Sequence, residues 1–64
     1  MDKFIVFNGN LYNTRYIVSV VKEKRFETFS IKLHLVNDVE TEKFDNENER
    51  DVQFDNIMEQ FVNN

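Results

Sequence analysis

The sequence predicts an α+β domain: a small antiparallel sheet of about four strands with one C-terminal amphipathic helix packed on one face. Three observations predict it. Residues 29–36, FSIKLHLV, alternate apolar and polar side chains, which is the period of a strand with one buried and one wetter face. Asn8-Gly9 interrupts an early apolar run, and Asn-Gly tolerates the positive φ values of a two-residue hairpin turn. Phe54, Ile57, Met58, Phe61 and Val62 recur at i, i+3, i+4, i+7 and i+8, one stripe of a helix.

The elements follow in chain order. A strand over about 3–8 leads into the Asn8-Gly9 turn and a return strand over 10–12. Residues 13–16, NTRY, form a polar bend in which Asn13 can make an Asx-turn, and strand character resumes over 16–23. A hairpin at Lys24-Arg25 would set Lys22 opposite Glu27, Val20 opposite Phe29 and Val18 opposite Ile31. Ser19 and Ser30 would then also face each other. The next strand covers 26–36, Asn37-Asp38 turns the chain, and 39–44 forms a charged edge strand. Asn46 and Glu49 have capping-box spacing, and Glu47, Glu49 and Asp51 place negative charge in the first turns of a helix over about 47–62. Val52 lies on the far side of that helix from the apolar stripe.

The 64 residues are read as a single domain, 1–64. A chain this short buries only about 60% of its unfolded surface, and with no Cys it has no disulfide to compensate. Met1 is followed by no charged-then-apolar leader and by no apolar run near the roughly 18 residues of a membrane span, so an intact, cytoplasmic, soluble protein is expected. Charge is divided along the chain. Residues 1–37 carry six bases against three acids, net +3, and residues 38–64 carry two bases against nine acids, net −7.

Motifs for chemistry are weak, and the expectation is a non-enzyme with no cofactor and no metal. A calcium loop starting at Asp45 would need Gly at its sixth position and Glu at its twelfth, where this chain has Arg50 and Asn56. His34, the single His, sits mid-strand on the wetter face. Gly9 is the single Gly, so no glycine-rich phosphate loop exists. Lys22, Lys24 and Arg25 cluster beside Phe26, a candidate grip for a phosphate backbone. The acidic balance of the chain argues against nucleic acid as a partner. The same acidity in the C-terminal part offers a DNA-mimic alternative.

One helix covers one face of a small sheet. If Phe29, Ile31, Leu33, Leu35, Val18 and Val20 pack under the helix, then Ile17, Val21, Phe26 and Val36 fall on the other side. Either Ile5 and Phe7 or Phe4 and Val6 join them. A contiguous apolar set of this kind marks an interface. With Val52 it makes the candidate contact surface of a homo-oligomer, a dimer in the first instance.

The stretch NGNLYNTRYIVSVV, the alternating strand after it, and the FD-acidic-ER helix start with its F..IM..F pattern resemble small proteins of phages and prophages of low-GC Gram-positive bacteria. The resemblance implies a compact sheet with one C-terminal helix and carries over no catalytic or ligand residue. It implies a non-enzymatic modulator that binds a host protein. The functional expectation is therefore a small binding protein acting as a homo-oligomer. The alternative is a binder of a nucleotide-like signal, with Arg15, Lys22, Lys24 or Arg25 on the phosphates and Phe26 or Tyr16 on the base.

Overall fold

A computed structural model describes residues 3–63. Its strands are β1 (Phe4–Phe7), β2 (Asn10–Asn13), β3 (Ile17–Arg25), β4 (Thr28–Leu35) and β5 (Val39–Phe44), and one helix, α1 (Glu47–Asn63), closes the described residues. The α+β class with a C-terminal helix is as expected. The strands number five, in two antiparallel sheets: β1-β2 alone, and β3-β4-β5. The division comes at Thr14–Tyr16, a 3₁₀ turn opened by Asn13, whose Oδ1 accepts from the Arg15 backbone N–H at 3.0 Å. Thr14 closes the corner, its backbone N–H and its hydroxyl both donating to the Lys3 carbonyl.

The Asn8-Gly9 turn forms as its sequence requires, with φ of 51° and 79° at the two central residues. It pairs Phe7 with Asn10 and Ile5 with Tyr12. Ile5, Phe7 and Tyr12 carry the hairpin into the core, with Phe7 and Tyr12 edge-to-face at 6.2 Å. Ile5 and Phe7 are buried, and Phe4 and Val6 are exposed.

The β3-β4 hairpin turns two residues later than the sequence pattern suggests. Arg25 pairs with Thr28, so Phe26-Glu27 is the two-residue loop. Positive φ at Phe26 (57°) and not at Glu27 makes the later turn possible. Lys22 therefore faces Ile31, Lys24 faces Phe29 and Val20 faces Leu33. Ser19 faces His34, and Ser30 faces Glu23. A β-bulge between Ile17 and Ser19 makes Val18 the extra residue. The bulge exchanges the expected roles of two neighbours: Ile17 packs against the core, and Val18 is exposed.

Ile5, Phe7, Ile31, Leu33 and Ile57 form the buried core, with Phe44, Phe54, Met58 and Phe61 packed around it. Thus α1 and the β1-β2 hairpin cover the same side of the three-stranded sheet. The helix starts as read: Asn46 Oδ1 accepts from the Glu49 N–H at 2.9 Å. Its stripe ends at Phe61, because Val62 is 82% exposed at the last turn.

Two helix side chains lock the layers together. Gln60 donates to the Val6 carbonyl (3.1 Å) and accepts from the Val6 N–H (2.7 Å), capping the outer edge of β1. Arg50, 8% exposed, donates through Nη1 to the Glu23 carbonyl at 3.1 Å and lies over the Phe29 ring at 5.3 Å. Asp51 Oδ1 holds its other edge, accepting from Nε and Nη2.

Candidate binding face

Among the described residues nothing covers the side of β3-β4-β5 away from α1. By register it carries Ser19, Val21, Glu23 and Arg25 from β3, then Thr28, Ser30, Lys32 and His34 from β4. Val39, Thr41 and Lys43 complete it from β5. Side chains alternate sides along each strand and cross-strand partners share a side, which is why these residues stand opposite Ile31 and Leu33. The face has two ends. Near the 36–38 connection Val39 is exposed beside His34, with exposed Val18 and Val36 at the same end of the sheet, and exposed Val21 lies mid-strand opposite Lys32. Near the Phe26-Glu27 loop the residues are charged and hydroxylated.

The charged end holds a shallow depression of about 280 Å³ lined by Arg25, Phe26, Ser30, Lys32, Thr41 and Lys43, among others. Ser30 is 6% exposed at its floor, shaded by longer neighbours on both flanking strands. Lys32 Nζ lies 3.3 Å from Glu23 Oε1. Three bases against one acid make this face positive. The helix carries five acids, Glu47, Glu49, Asp51, Asp55 and Glu59, against Arg50 alone. Five of the nine acids of residues 38–64 lie on the helix, so the helix is negative and the open sheet face positive.

Phe26 stands at the rim, 87% exposed with φ 57°. The first central position of such a turn favours glycine, and a left-handed conformation costs an L-residue with a Cβ roughly 1–2 kcal/mol. A large aromatic held out in water at a strained position is the local conflict expected of a functional residue.

The expected contact residues do not form one patch. Val21 is on the open face and Phe26 at its rim, and Val36 lies at the far end just past β4. Ile17 is withdrawn into the core contacts by the bulge, and Val52 is half-exposed on the outer side of α1. The expected phosphate cluster also divides. Alternation sends Arg25 to the open face and Lys22 and Lys24 to the helix side. There Lys22 lies over Phe54 at 5.1 Å and 3.7 Å from Asp51, and Lys24 lies over Phe29 at 5.3 Å. Arg15 is in the 3₁₀ turn at the opposite end of β3 from Arg25, roughly 30 Å along the strand.

Sequence reasoning overlooked Lys43 and Thr41, placed on the open face by β5 pairing, and the joints Arg50 and Gln60. Wetter-face positions in 28–34 were legible from alternation alone; a long-range hydrogen bond from a helix side chain has no local signal.

On the covered side Glu42 faces Ile31 across β5-β4, in a crevice shared with Asn8, Gly9 and Gln53. Burial pushes its carboxyl above the ordinary 4.5. Among the described residues no helix is long and apolar enough to cross a membrane. The stretch from Asp45, which lacks the Gly and Glu of a calcium loop, turns into α1 at Glu47. No family model matches the chain, and neither a curated protein nor a solved structure matches it.

Proposed function

We propose that this chain is a non-enzymatic binding protein whose contact surface is the open face of β3-β4-β5. The observation that supports the reading is the uncovered sheet itself, apolar at one end and basic with a strained aromatic at the other. In this reading two copies pair through the valine end. A two-fold axis near Val39 buries Val21 and Val39 of both copies and holds the Arg25 and Lys43 ends apart, while Lys32, the cross-strand neighbour of Val21, stays paired with Glu23 at the edge of the contact.

The face is small. Three strands about 4.8 Å apart and eight residues of about 3.3 Å each span roughly 14 × 26 Å. A standard interface takes about 800 Å² from each partner. Pairing through part of this face is therefore weak and concentration-dependent. The resemblance to phage proteins supplies the setting, a cytoplasmic protein that modulates a host process through the end of the face the dimer leaves open.

Light scattering behind a sizing column tests the pairing. The parent is expected to move from monomer towards dimer across tens to hundreds of micromolar, and a Val21→Glu, Val39→Lys double variant to stay monomeric. A parent that remains monomeric throughout, or a double variant that pairs equally well, contradicts it.

A further inference from the structure

We infer that the basic end of the open face binds single-stranded nucleic acid, with Phe26 stacking a base and Arg25, Lys32 and Lys43 meeting phosphates. The inference rests on the reading of the open face as the contact surface. It deepens that reading by naming the ligand class.

Three features select the ligand. The cations make it anionic. The whole-chain acidity that argued against nucleic acid is unevenly placed: five acids lie on the helix, and the open face sets Arg25, Lys32 and Lys43 against Glu23, with Glu27 in the loop beside Phe26. The depression is shallow and, at about 280 Å³, below the ~300–1,000 Å³ of pockets that enclose a small ligand. A free nucleotide would lie half in water there, whereas a chain passing across the sheet gains contacts along its length. Phe26 supplies the third feature. An acidic peptide would satisfy the bases but leaves a flat exposed ring at the rim without a role. A duplex offers phosphates but no unstacked base. A single strand uses both, since each base presents a π-face whatever its identity. Thr28 and Thr41 add exposed hydroxyls that can meet phosphate or sugar oxygens.

The contact is electrostatic and of low sequence preference. Three cations predict a slope of log affinity against log salt of about −2 for a single strand.

The test is fluorescence anisotropy of dye-labelled oligothymidylate of about 12 nucleotides, at about 50 and 200 mM salt, with inorganic polyphosphate as competitor. Saturable binding is expected, with polyphosphate a poor competitor. Phe26→Gly keeps or improves folding, because glycine suits the turn, and is expected to weaken binding about ten- to a hundredfold. Lys32→Ala and Lys43→Ala are expected to lower affinity and flatten the salt slope. Lys24→Ala, the same charge change on the helix side, is expected to do neither. Equal binding by parent and Phe26→Gly, or full displacement by polyphosphate, overturns the stacked single strand and leaves a plain polyanion surface. No binding at low salt by a parent that still pairs through Val21 and Val39 overturns the ligand and spares the contact face. No binding and no pairing overturn both.

Discussion

Replacing Arg50 by methionine removes one guanidinium and keeps most of the aliphatic stem. The guanidinium donates to the Glu23 carbonyl at 3.1 Å, so α1 is fastened to the backbone of β3 across the top of the core. A hydrogen bond from a charged donor contributes about 1.5–3 kcal/mol. Its stacking on Phe29 at 5.3 Å adds about 0.5–1 kcal/mol. Asp51, which accepts two of its N–H groups, would keep only the longer Lys22 contact at 3.7 Å. The combined loss is roughly 2–4 kcal/mol, allowing for non-additivity among contacts that share one side chain. At about 4–8 °C per kcal/mol for a domain of this size, Tm should fall by roughly 10–25 °C. Arg50→Lys should fall between parent and Arg50→Met, because an ammonium cannot reach carbonyl and carboxylate in one plane. Thermal and urea unfolding followed by far-UV circular dichroism read both. A Tm for Arg50→Met within about 3 °C of the parent would refute the claim that this arginine joins helix to sheet.

Gln60→Ala should strip the outer edge of β1 of its partner, lowering stability by about 1–2 kcal/mol and raising the amide-exchange rate of Val6; unchanged exchange at Val6 would mean the edge is held by other means. Phe26→Gly should leave Tm level or raise it, since relief of left-handed strain opposes the roughly 0.5–1 kcal/mol entropic cost of glycine; a clear loss would assign Phe26 to the fold. Glu42→Gln should raise Tm at pH 7. Burial lifts the carboxyl above 4.5, so the stability it contributes is present below that value and lost as pH rises through the folded value. The amide imitates the protonated acid, and its advantage should therefore vanish at pH 4; an equal advantage at both pH values would contradict the assignment to desolvation.

What the sequence conveyed best was what nearest neighbours decide. Asn8-Gly9, the Asn46 cap and the alternation through residues 29–35 each rest on local geometry, and each forms as expected. The β3-β4 register did not follow local preference. Lys24-Arg25 is the more polar pair, yet the chain turns at Phe26-Glu27, where a phenylalanine adopts positive φ. The later turn brings Val20 opposite Leu33 and the ammonium groups of Lys22 and Lys24 over the rings of Phe54 and Phe29. Tertiary packing therefore outweighs the turn preference. The bulge at Val18 is equally invisible in composition, and it alone moved Ile17 from the expected contact surface to the core. The positive face was half legible: Lys32 and His34 follow from alternation, while Lys43 required the pairing of β5 with β4.

The central claim is that this protein acts through the open face of β3-β4-β5. Amide chemical-shift mapping tests it most directly, because a chain of 7.8 kDa gives a fully resolvable spectrum. A dilution series should shift Ser19, Val21 and Val39. Addition of oligothymidylate should shift Arg25, Phe26, Lys32, Thr41 and Lys43, leaving Asp55, Glu59 and Leu11 unmoved. Shifts confined to the outer surface of α1 or to the exposed side of the β1-β2 hairpin would contradict it.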